Sequence, residues 1–281
     1  MTQPPRLTDR AQLARNRSRF RPGAAFLHEI AADELKERLE EVNRQFTEIA
    51  VVTGQPEFWA AQFPGARIVP DEDRIDLEPE SYDLVIHAMS LHWADDPVGQ
   101  IVQSRRALRP DGLFLCVTLG GQTLSELRIA LAEAETALRG GISPRVAPMG
   151  EIRDLGGLIQ RGGLAQPVAD TDTYVVSYRD ARHLMRELRE MGEGNALAAR
   201  DRRTLGRGIL ERAGAIYADR FAATDAPDRI RATFELIFLS GWAPHESQQK
   251  PLRPGSAQAR LADILETART GPDGTSRDGG D

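Results

Sequence analysis

The sequence predicts an α/β fold with three layers, in which helices cover both faces of a mostly parallel sheet. Residues 82–87 form a short apolar run that ends in a polar and aromatic tip, as buried strands followed by loops do. Residues 113–119 are apolar nearly throughout, which indicates a strand buried on both faces. Residues 97–108 between them have helical periodicity. Strand, helix and strand joined by short turns predict a βαβ unit at the centre of the sheet.

The elements before this unit follow from the same periodicities. Residues 26–46 place apolar side chains three and four positions apart, which predicts a helix. Residues 47–54 form an apolar run that ends at Gly54, which predicts the first strand and its turn. A short helix at residues 57–63 and a strand at residues 66–69 are expected next.

After the central unit, helices and strands alternate again. Residues 123–138 carry a helical stripe that Gly140 ends, with Thr123 and Ser125 as candidate caps. Residues 172–178 alternate polar and apolar, as strands do. The remaining predictions are helices at residues 150–163, 180–191 and 200–221, and a strand at residues 232–241.

The composition limits the classes of function. The chain has 281 residues, 41% of them hydrophobic and 28% charged, which is ordinary for a globular protein. A net charge of −6 argues against general binding of nucleic acid. No apolar run approaches the ~20 residues that span a bilayer, so no transmembrane segment is expected. The single cysteine, Cys116, is predicted to be a buried inert thiol, and it fits a reducing cytoplasm.

Three regions follow from this organisation. Residues 1–22 contain six arginines and one acid, and we expect a basic flexible arm. A transit peptide, or a surface in peripheral contact with anionic lipid, is the alternative for these residues. Residues 23–265 are predicted to form a single domain with a helical insertion at residues 180–223. Residues 266–281 lack apolar anchors and are expected to be disordered.

Several segments resemble one known family. Residues 82–119, with Leu-Arg-Pro-Asp-Gly at 108–112, are similar to the fourth strand, the following helix and the fifth strand of class I S-adenosylmethionine-dependent methyltransferases. Residues 90–93, 120–128, 191–195 and 241–248 resemble the respiratory complex I assembly factors, a branch implicated in hydroxylating an arginine of a complex I subunit. The resemblance covers roughly residues 20–265. It implies a Rossmann-like sheet whose last two strands form an antiparallel edge pair.

The resemblance also implies S-adenosylmethionine as a cofactor, from which this sequence departs in two ways. The family carries several glycines after its first strand, whereas this chain has only Gly54, and Pro56 lacks a backbone N–H. The residues up to the next matched strand leave room for one βα unit where the family has two or more, so one unit is expected to be missing. The candidate cofactor-binding residues, taken from the carboxyl ends of the strands, are Gly54, Asp71, Glu72, Ser90 and Leu91.

Two placements of the acidic pair after the second strand remain open. If residues 66–69 form the family's second strand, Asp71 or Glu72 is placed to hydrogen-bond a ribose hydroxyl. If they form its third strand, Asp71 matches the position that contacts adenine. A solvated acidic turn without a ligand is the remaining interpretation.

Candidate catalytic and substrate-binding residues come from the resembling motifs. The candidate catalytic residues are His92, His245 and Glu246, and the candidate substrate-binding residues are Trp93, Gly120, Gly121, Glu193 and Asn195. Trp93 offers an aromatic wall that attracts a sulfonium or a substrate arginine by a cation–π contact. A sharper hypothesis groups His92 and His245 with Glu246 or Asp71 as a two-histidine, one-carboxylate iron site. We favour the alternative, in which each histidine makes a structural hydrogen bond and there is no metal.

Three functions are compatible with these residues. The first is modification or binding of an arginine segment of a complex I subunit, with S-adenosylmethionine or a related nucleotide in the cleft. The second is a non-catalytic assembly chaperone that has lost the cofactor. The third is a general S-adenosylmethionine-dependent methyltransferase. Whether the chain is an enzyme stays open at this point.

Overall fold

The computed structural model describes residues 6–248, of which those up to His245 pack as one compact unit. The predicted tail at residues 266–281 lies outside the described residues. The helices are α1 (Arg10–Arg17), α2 (Phe26–Glu41), α3 (Pro56–Gln62), α4 (Pro97–Ala107), α5 (Ser125–Arg139), α6 (Ile152–Arg161), α7 (Ala181–Glu190) and α8 (Arg207–Arg220). The strands are β1 (Ile49–Thr53), β2 (Arg67–Val69), β3 (Tyr82–Ala88), β4 (Leu108–Leu119), β5 (Ala165–Tyr178) and β6 (Ile230–Trp242).

The strands form one mixed sheet in the order β2-β1-β3-β4-β6-β5. The four strands from β2 to β4 run parallel, whereas β6 pairs antiparallel with both β4 and β5. The predicted fold class, including the central βαβ unit and the antiparallel edge pair, is therefore confirmed. The strands β3 and β4 are buried almost throughout because helices cover both of their faces.

Two apolar clusters, one on each face of the sheet, make the three layers. The larger cluster joins α2, α3, α5, α7 and α8 to one face, with Leu35, Trp59 and Phe234 fully buried in it. The smaller cluster joins α4 and α6 to the other face through Ile101 and Ile159. Across residues 6–248, no helix combines the length and apolar character that a bilayer crossing requires.

The position of β2 decides between the two placements of the acidic pair. The strand β2 pairs directly with β1, and in the described part of the chain no further strand lies outside it. Asp71 therefore follows the strand next to β1, which is the position of the ribose-binding acid in the second-strand placement. The arrangement agrees with the loss of one βα unit.

The flexible-arm prediction is wrong for residues 6–22. The helix α1 forms there, with Asp9 as its N-cap through a hydrogen bond from the Gln12 backbone N–H, and Leu13 is only 1% exposed. Three smaller differences concern element ends. The strand β5 begins earlier than predicted, at Ala165, and α8 begins later, at Arg207. Thr123 does not cap α5, because its hydroxyl donates to the carbonyl of Glu235.

Candidate functional site

The carboxyl ends of the parallel strands bring four predicted loops to one edge of the sheet. Gly54 follows β1, Asp71 follows β2, residues 89–93 follow β3, and Gly120 follows β4. This is the edge at which open α/β sheets bind ligands. The N-terminal segment with α1 lies across it, which the sequence did not lead us to expect.

Asp71 is held by two arginines of α1. Nη1 and Nη2 of Arg17 donate to its two carboxylate oxygens at 2.6 and 2.9 Å, and Nη1 of Arg10 donates at 3.3 Å. The side chains of Arg17 and Asp71 are only 14% and 6% exposed. Burial raises the pKa of the Asp71 carboxyl, but the hydrogen bonds and charge of Arg17 outweigh it and hold the pKa below its ordinary value. Asp71 is thus an ionised carboxylate whose partners come from its own chain.

Arg17 also covers the turn after β1. A Cβ added to Gly54 would lie 2.1 Å from the guanidinium carbon of Arg17, so the guanidinium rests directly on the glycine backbone. In the family that the sequence resembles, the methionine part of S-adenosylmethionine approaches this backbone. Since Arg17 occupies both this surface and Asp71, the residues in this arrangement do not fit the cofactor.

The other predicted cofactor residues have structural partners or face solvent. The Ser90 side chain is fully buried, and its hydroxyl lies 3.3 Å from Nδ1 of His87. Leu91 is 3% exposed and belongs to the apolar cluster under α4 and α6. The side chain of Glu72 is exposed, and its backbone carbonyl accepts a hydrogen bond from the side chain of Gln100.

His92, Trp93 and Glu193 form a hydrogen-bonded network beside the end of β4. Nε2 of His92 lies 3.2 Å from Oε2 of Glu193, and Nε1 of Trp93 donates to the same oxygen at 2.8 Å. Nδ1 of His92 lies 3.2 Å from the Thr118 hydroxyl. The structure therefore brings together one predicted catalytic residue and two predicted substrate-binding residues from loops 100 positions apart.

The carboxyl of Glu193 is ionised in this network. Burial raises its pKa, but His92 and the hydrogen bonds from His92 and Trp93 outweigh burial and lower the pKa to about 2. An ionised carboxylate only accepts hydrogen bonds, so Nε2 of His92 carries the proton that it shares with Glu193. Both side-chain bonds end on Oε2, and Oε1 accepts no hydrogen bond among the described residues.

A cavity of about 300 Å³ opens beside this network, on the α5 side of the sheet edge. Its walls are largely apolar, formed by side chains of α5 and α7 such as Leu127, Leu131 and Met185, and Glu193 and Trp93 also line it. Arg19 and Arg189, both exposed, lie among the lining residues. The cavity thus combines apolar walls with the buried carboxylate of Glu193, and three arginines also line it: Arg19, Arg189 and Arg145, of which Arg145 is paired with Glu135.

The remaining substrate candidates shape the surroundings of this cavity. Asn195 lines it, and the side-chain amide of Asn195 donates to the carbonyl of Pro144 at 2.8 Å. Gly120 and Gly121 pack against carboxylates instead: a Cβ on either glycine would lie 2.3 Å from a carboxylate oxygen, of Glu235 or Glu151 respectively. A larger residue at either position would have to displace the end of a glutamate side chain, and contact with a ligand at these glycines stays a prediction.

His245 does not join His92. The strand β6 is antiparallel to β4 and ends at Trp242 opposite Leu113, whereas His92 contacts Thr118 at the other end of β4. Five residues of strand separate these positions by about 16 Å. The predicted grouping of His92 and His245, as catalytic residues or as an iron site, is wrong for this reason. The Glu246 side chain is exposed, and residues 6–248 contain no group of three metal-ligating His, Cys, Asp or Glu side chains.

Arg10 and Arg17 are the site residues that the sequence interpretation missed. Their segment is joined to residues 190–198 by backbone hydrogen bonds from Asp9 to Ala196 and from Arg21 to Glu190, each 2.8 Å long. Asn16 adds a side-chain bond to the carbonyl of Gly194. The spacing of Arg10, Leu13 and Arg17 after the N-cap Asp9 was a usable signal, because positions three and four apart share one helix face.

Proteins with similar sequences include methyltransferases and arginine hydroxylases. Residues 29–116 match the family model described as a methyltransferase domain. The chain is 40% identical over 201 residues to the mitochondrial arginine-hydroxylase NDUFAF5 of Dictyostelium discoideum, a match that covers 71% of this chain and 46% of that protein. It is 34% identical over 203 residues to the human protein of the same name, covering 72% and 58%.

A different enzyme is also among the relatives. The malonyl-[acyl-carrier protein] O-methyltransferase of Laribacter hongkongensis is 32% identical over 190 residues, covering 68% of this chain and 61% of that protein. The chain spans about half to three fifths of the length of these relatives. The predicted resemblance to the methyltransferases and to the complex I assembly factors is confirmed, since residues 29–116 match the methyltransferase model and the arginine hydroxylases are among the relatives.

Proposed function

We propose that this protein binds an arginine-containing segment of a partner protein and acts in this way in the assembly of respiratory complex I. The single observation that carries the proposal is the ionised carboxylate of Glu193 at an apolar cavity, with Oε1 unused among the described residues. An arginine side chain has an apolar stem and a planar cation, and this pair of features matches apolar walls beside a carboxylate.

The neighbouring groups support the choice of arginine. The indole of Trp93 is 2% exposed and also lines the cavity, and aromatic rings attract a guanidinium. Because Trp93 and His92 fix Oε2 of Glu193, its carboxylate is already oriented before a ligand arrives. The relatives at 34% and 40% identity carry the name arginine-hydroxylase, which supports the same side chain as the target.

The experiment compares peptides that differ at one atom. Fluorescent peptides from arginine segments of complex I subunits are titrated with the full chain, each beside a version with citrulline, the uncharged analogue of arginine. We expect the best arginine peptide to bind at least tenfold more tightly than its citrulline version, a difference of about 1.4 kcal/mol. A chain that binds both versions equally would refute the proposal.

Two variants locate the binding to the cavity. Glu193→Gln keeps the shape but removes the charge, so it should reduce the preference for arginine to less than threefold. Met185→Trp fills the cavity from α7 and should weaken both peptides together. Glu57→Gln, on the exposed start of α3, is the matched control and should bind as the original chain does.

Modification of the bound arginine is a second candidate, favoured by the names of the same relatives. Hydroxylation inserts one oxygen atom of dioxygen into a C–H bond of the arginine and reduces the other oxygen atom to water, so the assay supplies air and a two-electron donor such as ascorbate. Mass spectrometry of the bound peptide then detects the added mass of one oxygen atom. A peptide that binds and keeps its mass would favour the assembly role without chemistry. A cytoplasmic location of this protein stays a prediction.

A further inference from the structure

The cofactor side of the sheet edge holds a cation that belongs to the chain itself. The guanidinium of Arg17 is bonded to both oxygens of Asp71 and lies on the backbone of Gly54. We propose that the guanidinium of Arg17 permanently fills the cofactor cleft of this methyltransferase fold, so that the chain does not bind S-adenosylmethionine.

Arg17 and a nucleotide would compete for the same atoms. A nucleotide at this edge needs the Asp71 carboxylate for its ribose and the bare backbone at Gly54 for its amino-acid part. Arg17 uses both. The carboxylate is 6% exposed and already accepts three hydrogen bonds from arginine side chains, so a ribose hydroxyl could bond to it only after an arginine has left.

The helix that carries Arg17 is held in place on both sides. Backbone hydrogen bonds join Asp9 to Ala196 and Arg21 to Glu190, one on either side of α1, and Leu13 is buried beneath the helix. Gly192 is pressed against the same helix: with φ at +88°, a Cβ there would lie 2.9 Å from the Gln55 amide and 3.2 Å from the Arg17 Cα. The segment that carries Glu193 therefore packs closely against α1.

The geometry around Asp71 is specific for a guanidinium group. Two parallel N–H···O bonds to one carboxylate require the planar fork of a guanidinium, which an ammonium group cannot supply. The loop after β1 has one donor fewer for a nucleotide, because Pro56 has no backbone N–H. The cleft is therefore complementary to a guanidinium.

The test is thermal unfolding of the full chain with small ligands. Arg17→Ala leaves the buried Asp71 with only Arg10, and we expect the melting temperature to fall by roughly 8 °C. Arg15→Ala, on the exposed side of the same helix, is the matched control and should melt within about 1 °C of the original chain. Millimolar ethylguanidinium should raise the melting temperature of Arg17→Ala, whereas ethylammonium should not.

A second measurement uses the unaltered chain with the cofactor itself. With millimolar S-adenosylmethionine or S-adenosylhomocysteine, its melting temperature should stay constant. A rise of several degrees would overturn the proposal, as would an Arg17→Ala protein that melts together with Arg15→Ala. If Arg17→Ala does not fold, Arg17→Lys replaces it: a lowered melting temperature that ethylguanidinium partly restores supports the proposal, and an unchanged one overturns it.

Discussion

The two sides of the sheet edge differ in what fills them. On the β2 side, charged groups of α1 pair with Asp71 and cover Gly54. On the α5 side, an apolar cavity of about 300 Å³ leaves the carboxylate of Glu193 within reach of a ligand. Residues 190–198 contact both sides, through their bonds to the N-terminal segment and through Glu193. We propose that this fold keeps one of two neighbouring binding places and closes the other with its own side chains.

On the β2 side of the sheet edge, which α1 covers, shortening a buried side chain should destabilise the protein strongly. Leu13→Ala removes a fully buried side chain from α1, and we expect the free energy of unfolding to fall by about 3 kcal/mol because a cavity remains. Urea unfolding measures this loss. The control is Leu138→Ala, at a leucine that is 56% exposed and should cost less than about 0.5 kcal/mol. Equal costs would mean that α1 is not packed on the sheet edge.

The free energy of unfolding should also depend on pH, through His28 of α2. Burial lowers the pKa of His28 to about 4, while its Nδ1 accepts a hydrogen bond from the Trp59 indole. The unfolded chain binds a proton near pH 6.5 and the folded chain does not, so stability is lost as the pH falls from 6.5 towards 4. At pH 5 the expected loss is about 2 kcal/mol.

The control for this prediction is a residue that does not titrate. His28→Gln keeps a hydrogen-bond acceptor for Trp59 but has no ionisable group. Its stability should change less than that of the original chain between pH 7 and pH 5. Identical slopes for the two proteins would assign the pH dependence to other groups.

Local patterns predicted most of the sheet, because the residues that decide each element lie close together in sequence. The strands β3 and β4 are apolar runs and α4 has one apolar face, so their order alone implied the central βαβ unit. The location of α1 depends on Asp71, 54 positions from Arg17, and no local pattern reports such a pairing.

The placement of His245 was wrong for a reason that topology supplies. The strand β6 runs antiparallel to β4 and therefore ends at the opposite edge of the sheet. The predicted antiparallel edge pair thus already implied that His245, which follows β6, lies away from His92. In contrast, His92 and Glu193 meet because their loops both lie at the carboxyl edge. The direction of each strand, more than the chemistry of the motif, determined which candidates came together.

Hydrogen exchange with two ligands tests the difference between the two sides most directly. The full chain is incubated with an arginine peptide or with S-adenosylmethionine, and exchange is followed by mass spectrometry. We predict that the peptide slows exchange in residues 185–195 and leaves α1 unchanged, whereas S-adenosylmethionine changes neither region. Slower exchange in α1 and at Gly54 with S-adenosylmethionine, and none at residues 185–195 with any arginine peptide, would contradict the account.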